Sequence, residues 1–291
     1  MDVEKYKKAS EISKECKAYG KSIAKAGMNY LEFSKKIEDK IIKMGGGIAF
    51  PVNISVNDTA AHDIAQIDDT RIFKKGDLVK LDIGVHIDGF IVDSAITFEI
   101  ETKKYEDLIN LNKKALASAI KKIKPGVKIS EIGKAVEAVV KNSDYKIIKN
   151  LTGHGIEQYD IHSGFSVPNY DTGGSDILEK GMVIAVEPFL TNGFGSIKEG
   201  KSSGIYQLEY DKPIRLYRDV LNFIKKEFLT LPFNIRDIQD KFGYSKSKSA
   251  IAYLVRNQLL TDHKVLLEKK DSVVSQFEHT IIVEDEPIVL G

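Results

Sequence analysis

The sequence predicts an α+β fold built from two similar halves, with an insertion inside the second. Three observations lead there. Helical patterns precede and separate runs of strand-forming residues, one stretch reads as a strand pair closed by a tight turn, and the turn that opens this stretch recurs 105 residues later.

The helical patterns come first. Residues 4–26, rich in Lys, Glu and Ala, are expected to form a helix ending near Gly27. A second is expected over 31–44, where Phe33, Ile37, Ile41 and Met44 recur at helical spacing before Gly45, Gly46 and Gly47 stop it. Residues 48–57 read as extended, and Lys74-Lys75-Gly76 reads as a turn. Residues 105–123 are amphipathic and closed by Pro125-Gly126, after which Ser130 is expected to cap a helix running to Val140. From Lys146 to Gly195 the pattern changes to short strands between glycine-rich turns.

The strand pair lies in KLDIGVHIDGFIVDSAITF, Lys80 to Phe98. Asp88-Gly89 is a two-residue hairpin signal. Centring the turn there pairs Ile87 with Phe90, Gly84 with Asp93 and Asp82 with Ala95. Residues two apart share a face with their cross-strand partners, so one face, from Leu81 and Ile83 to Val92 and Ile96, is apolar. The other receives both aspartates on a diagonal of roughly 7–8 Å, with Gly84 leaving space opposite Asp93. Two such carboxylates repel unless solvated, protonated or bridged by a cation. A solvated face and a cation cradle both remain open on this pattern alone.

The repeat adds two more acids. Lys75-Gly76 leads through DLVKL to Asp82, and Lys180-Gly181 leads through MVIAV to Glu187. A fainter echo aligns IVDSAITFEI, carrying Asp93, with QFEHTIIVED, carrying Glu278, at an offset of 185 residues. The two offsets differ by 80, which predicts an insertion between the two strands of the second half. Each half would then bring two carboxylates to a shared centre.

The totals restrict the function classes. Hydrophobic residues make up 42% and charged residues 29% of 291, as in an ordinary globular protein. A net charge of +1 gives no global attraction to nucleic acid or an anionic membrane. Cys16 is the single cysteine, so neither an internal disulfide nor a thiolate metal cluster is available. The first 20 residues carry charges throughout, and no apolar run approaches the ~18 residues that span a bilayer. A cytoplasmic, soluble protein is expected.

Of the six histidines, His154 and His162 fall in LTGHGIEQYDIHSG, where Gly153 and Gly155 suit close backbone approach. They meet only if the chain doubles back between them. His62, in NDTAAHD, is placed on a loop or strand end.

Asp82, Asp93, His154, Glu187 and Glu278, in that order, resemble the five metal ligands of methionine aminopeptidases. The words GHGIEQYDIHSG, VEPF and QFEHT are similar to the type 2 branch in its archaeal form, and the resemblance covers essentially the whole chain. It implies a pita-bread (creatinase/aminopeptidase-like) fold of two pseudo-symmetric halves around a dinuclear metal site. Residues 1–205 and 269–291 would be the catalytic domain, and 206–268 an inserted helical, winged-helix-like subdomain. The insertion holds eleven Lys or Arg against eight acids, too balanced for a nucleic-acid footprint; shaping the substrate pocket is its expected role.

The resemblance further implies two divalent ions. Co, Mn or Fe(II) suit four carboxylates and one imidazole, with Zn or Ni as further candidates. Asp93 and Glu278 would bridge the two ions, Asp82 would complete one, and His154 with Glu187 the other. A bridging hydroxide would attack the first peptide carbonyl, with Glu187 moving the proton. His62 and His162 would contact the scissile amide, and Phe50 and Ile161 would hold the methionine side chain. The implied activity is removal of N-terminal methionine from nascent polypeptides with a small second residue, by a monomer that associates with ribosomes in some settings. A prolidase or aminopeptidase P is the rival enzyme, but only about 45 residues precede the catalytic core. A metal-free binding homologue is the rival of another class, and such proteins lose ligands. His263-Lys264 stand near the end of the insertion where relatives often place an aromatic, leaving pocket shape open on that side.

Overall fold

Two capped helices begin the chain in a computed structural model that describes residues 2–210 and 212–291. In α1 (Val3–Ile23) the Asp2 carboxylate accepts the Lys5 N–H, and in α2 (Tyr30–Lys43) the Asn29 side chain accepts those of Leu31 and Glu32. Phe33, Ile37 and Ile41 of α2 are buried, as their spacing predicts. After β1 (Gly47–Val56) and the short β2 (Thr59–Ala61) come β3 (Leu78–Ile87) and β4 (Phe90–Glu99). The β3–β4 hairpin has the expected register throughout, Ile87 with Phe90, Gly84 with Asp93 and Asp82 with Ala95. β1, β3 and β4 form an antiparallel sheet in that order, and α1 and α2 cover its apolar face.

The second half opens with α3 (Glu106–Ile120) and α4 (Ile129–Val140). Ser130 does not cap α4. It lies inside the first turn, its hydroxyl donating to Gly174 O, while the helix start is fixed by the bridge between Lys128 and Ile177. Tertiary pairing here outweighs the capping preference. Then follow β5 (Lys146–Ile147), β6 (Thr152–Glu157), β7 (Asp160–Pro168), β8 (Val183–Val186), β9 (Phe189–Thr191) and the long β10 (Lys198–Leu208). α5 (Arg218–Glu227), β11 (Phe233–Asn234), α6 (Ile235–Phe242) and α7 (Tyr244–Arg256) precede β12 (Leu260–Leu267). The three helices surround their own core, with Val220, Ile224, Ile238 and Leu254 fully buried. β10 and β12 pair with each other, and β12 also pairs with β2, so this segment is tied into the first half. β13 (Val274–Gln276), β14 (His279–Ile282) and β15 (Ile288–Leu290) complete the chain. The sheet β15-β14-β8-β6-β7 carries the second half, and β13-β9-β5 flanks it.

The two halves are equivalent at the level of single hydrogen bonds. Gly76, at φ 92°, donates to Ile100 O, which answers with Ile100 N–H to Asp77 O. Gly181, at φ 86°, donates to Val283 O, and Val283 N–H returns to Met182 O. The anchors Gly76 and Gly181 stand 105 residues apart, as the repeat predicts, but Ile100 and Val283 stand 183 apart. The echo aligned at 185 is therefore two residues out of register. Glu278 is the counterpart of Ala95, and Gln276 that of Asp93. A one-strand echo has no turn to fix its register, whereas the paired strands do.

The same symmetry governs the seam. The Thr97 hydroxyl donates to Gln276 O at 2.6 Å and accepts Gln276 N–H at 2.8 Å. Thr280 does the same for Asp93, donating to its O and accepting its N–H, both at 2.8 Å. Between these exchanges Glu278 N–H reaches Ala95 O at 3.1 Å. The seam thus holds the backbone beneath the acids of both halves. Thr280→Val, near-isosteric, strands the Asp93 N–H and carbonyl in a buried place, where an unsatisfied group costs about 1–3 kcal/mol. Urea unfolding of chelator-treated protein is expected to show a loss of that size.

Candidate metal centre

Asp82 on β3, Asp93 on β4, His154 on β6, Glu187 just after β8 and Glu278 between β13 and β14 all line one cavity of about 440 Å³. His154 Nε2 lies 3.5 Å from Asp93 Oδ2 and 3.6 Å from Glu187 Oε1. One ligand atom each from Asp93, His154 and Glu278 lie within 4.8 Å of one another. His154 Nδ1 faces Gly155 O at 3.1 Å, which fixes the proton on Nδ1 and leaves the Nε2 lone pair for a cation.

Gln276 organises the carboxylates. Its side-chain nitrogen donates to Asp82 Oδ2 and Glu278 Oε2, each at 3.2 Å, and stands 3.5 Å from Glu187 Oε2. The opposite oxygens, Asp82 Oδ1 and Glu278 Oε1, are buried without a partner, and so is Asp93 Oδ1. Buried polar atoms are ordinarily satisfied, so three orphaned anionic oxygens around one volume fit a bound cation. Burial, and then the Asp93 charge, push the Asp82 carboxyl well above its usual range. Glu187 and Glu278 are raised likewise, by burial first and then by Asp93 and the other acids. An oxygen-rich set with one imidazole suits hard or borderline divalent ions.

Two histidine rings sit beyond the acids. β6 and β7 form a bulged hairpin that turns at Tyr159, φ 60°, and brings the His154 and His162 ring centroids to 4.4 Å. A Cβ on Gly153 would meet Ala185 O at 2.1 Å, so the glycine beside His154 is what lets β8 approach. His62 is at φ 60°, and its Nδ1 faces Lys264 O at 3.2 Å, leaving Nε2 unpartnered. Burial, reinforced by His263, pushes His62 down to about 4. His162 is lowered too, by burial and then by His154, so both rings are neutral near pH 7. Phe50 and Ile161 line the cavity with Ile205, Leu266 and Pro232. The space at Gly84 serves Phe50 rather than a cation, since a Cβ there would lie 2.3 Å from the Phe50 ring.

The model of Metallopeptidase family M24 matches residues 4–285. The methionine aminopeptidase of Pyrococcus horikoshii is 40% identical over 293 residues, covering 100% of this chain and 99% of that protein. The chain belongs to metallopeptidase family M24. Within it, the methionine aminopeptidase of Archaeoglobus fulgidus is 42% identical over 261 residues, 89% of this chain and 87% of its own. Among solved structures, a thermophilic Arx1 aligns with a TM-score of 0.84 at 17% identity, covering 98% of this chain and 90% of that one. Methionine aminopeptidase from Thermotoga maritima aligns at 0.71 and 20% identity, covering 99% and 95%. Prolidase from Pyrococcus furiosus aligns at 0.61 and 17% identity, and the chain spans 62% of it. The fold is the pita-bread fold of the M24 family.

Gln276, between the acids, and His263, on the cavity wall, take roles in this M24 chain that sequence reading did not give them. Gln276 stands two residues before Glu278, and alternation alone would have put both on one face; an uncharged amide simply gave no signal. His263, read as a departure near the end of the insertion, closes the wall opposite His62 with ring centroids 5.8 Å apart. Its Nε2 pairs with Gln207 Oε1, a contact that only the β10–β12 register creates.

The buried His62 ring has a pH consequence. Its folded value, about 4, lies below the unfolded value near 6.5, so its contribution to stability is complete above pH 6.5 and is lost as pH falls towards 4. His62→Gln removes that loss. Thermal melts between pH 7 and 4.5 are expected to show a shallower decline in His62→Gln than in the parent; equal slopes would place the ring in water.

Proposed function

We infer that this chain is a metal-dependent methionine aminopeptidase that hydrolyses the first peptide bond of polypeptides beginning with methionine. The observation that carries this reading is the convergence of Asp82, Asp93, His154, Glu187 and Glu278 on one cavity that Phe50, Ile161, Ile205 and Leu266 also line. The 40% identity to an archaeal methionine aminopeptidase over nearly the whole of both chains favours it over prolidase, at 17%.

Asp93 and Glu278 would hold two divalent ions between them, with Asp82 completing one site and His154 and Glu187 the other; Mn, Fe(II) or Co fits this donor set best. When bound, such ions polarise a carbonyl and acidify water near neutral pH. The remaining work falls to the chain. Glu187, whose carboxyl is raised by burial and by Asp93 and Asp82, would take the water proton and pass it to the leaving amine. His62 presents a free Nε2 because its Nδ1–H is committed to Lys264 O; it would accept the scissile N–H. The neutral His162 ring, at the cavity mouth, would donate to the oxygen that gains charge as the carbonyl is attacked. Phe50 and Ile161, 8% and 1% exposed, would grip the unbranched methionine side chain.

The 206–268 segment is assigned the role of completing the pocket rather than binding nucleic acid. It begins inside β10 and ends one residue past β12, and its Pro232, His263 and Leu266 line the cavity. Among the described residues no helix is long and apolar enough to cross a membrane.

Release of methionine from Met-Ala-Ser is expected in the presence of Mn²⁺ or Co²⁺, with loss on chelation; cleavage of Lys-Ala-Ser at an equal rate would defeat the pocket assignment. The two histidines should separate. His154→Ala is expected to lose bound metal, measured by elemental analysis. His162→Ala should keep the metal while kcat falls about 10²-fold or more, the size of losing one stabilising donor. Metal loss from His162→Ala would reverse these roles.

A further inference from the structure

Lys80 is fully buried, two residues before Asp82 on β3, so the two side chains leave the same face. Its Nζ donates to Asn57 O at 3.0 Å and to Val274 O at 2.9 Å. Asn57 O also receives the Val274 N–H at 3.0 Å. Asn57 is itself immobilised at φ 53°, its side chain accepting Leu78 N–H and donating to Asp77 Oδ1. One amine therefore closes the corner where the β1–β2 turn, β3 and β13 meet.

β13 has no backbone ladder to β3; its strand partner is β9. Over the acidic face it is fastened by the Val274 N–H to Asn57 O and by a short series of side chains. Lys80 holds Val274, and Thr97, directly opposite Lys80 in the hairpin register, holds Gln276. Gln276 in turn spaces Asp82, Glu187 and Glu278. The counterpart of Val274 in the first half is Ile91, fixed by the β3–β4 ladder opposite His86, and the counterpart of Lys80 in the second half is Ala185, whose side chain carries no donor. Val274 has the equivalent ladder, opposite Thr191 on β9, so Lys80 adds a second attachment from β3 across the seam, one that Ala185 cannot give Ile91.

We propose that Lys80 is a positioning residue of the metal centre, fastening Val274 to β3 so that the Gln276 amide and the Glu278 carboxylate stand at the right distance from Asp82. This rests on the reading of the cavity as a metal centre. Two N–H groups suffice for the clamp, and amine and ammonium both carry them, so it holds in either protonation state.

The test is calorimetric titration of chelator-treated protein with Mn²⁺, alongside its metal-free melting temperature. Lys80→Met keeps the apolar stem and removes both donors. Its Mn²⁺ Kd is expected to rise about tenfold or more, the usual effect of losing an outer-sphere partner, while the metal-free melting temperature is unchanged or higher. The double variant Lys80→Met/Gln276→Leu should bind no more weakly than Gln276→Leu alone, because the two act along one path. A parental Kd in Lys80→Met, additive losses in the double variant, or a fall in melting temperature that accounts for the weaker binding each overturn the proposal. Parent protein that binds no Mn²⁺ overturns the underlying metal-centre reading instead. Should Lys80→Met not fold, Lys80→Gln, with one N–H₂ on a shorter stem, is expected to give an intermediate Kd, and a parental value there overturns the clamp.

Discussion

Four carboxylates placed around one buried volume set the problem that the rest of the molecule answers. At 4 Å and an effective dielectric constant of ~20, each like-charged pair repels by roughly 4 kcal/mol, and burial adds to this. The protein opposes the repulsion with rigid scaffolding. The hairpin carrying Asp82 and Asp93 has one face sealed by α1 and α2, through Leu81, Ile83 and Val92 against Ile12, Phe33 and Ile37. Lys17 on α1, 4% exposed, lies close enough for Glu278, Asp82 and Asp93 to favour its charge, although burial dominates and brings it down to about 8. Such a site is strained without cations and relieved by them, which ties metal binding to stability.

The pseudo-twofold relation explains both how the acids meet and why the site is not symmetric. The threonine exchanges across the seam are equivalent, Thr97 with Gln276 and Thr280 with Asp93. Asp82 and Glu187 occupy equivalent places after equivalent Lys-Gly turns. At the next pair of positions the halves diverge, with Asp93 and Ala95 in one and Gln276 and Glu278 in the other. The amide where symmetry would put a fifth carboxylate supplies a donor among acceptors. It lowers the local charge and ties one oxygen of Asp82 and one of Glu278, leaving the other oxygen of each turned to the cavity.

The insertion acts on the opposite wall. Its helices make a separate core, but β10 and β12 tie it into the first half through β2. The Lys264 carbonyl sets the His62 tautomer, and His263 packs edge-on against the same ring. A residue 202 positions away in sequence thereby determines which nitrogen of His62 faces the cavity.

By itself the sequence determined what depends on local periodicity and on motif words. The Asp88-Gly89 turn dictates the whole hairpin register, because a two-residue loop allows only one, and the spacing of Phe33, Ile37 and Ile41 dictates a buried helix face. The order and context of the four acids and His154 pointed to one centre, and all five line one cavity; the equivalence of Gly76 and Gly181 was visible as a repeated word. Tertiary structure decided whatever depends on partners distant in the chain. Ser130 lost its capping role to the pairing of Lys128 with Ile177, the second echo shifted by two residues once the β8–β14 ladder fixed it, and Gly84 made room for Phe50. Gln276, His263 and Lys80 gained their places in the same way. Each acts through hydrogen bonds or ring contacts to residues far off in sequence, and one-dimensional spacing carries no information about which strands will lie across the seam.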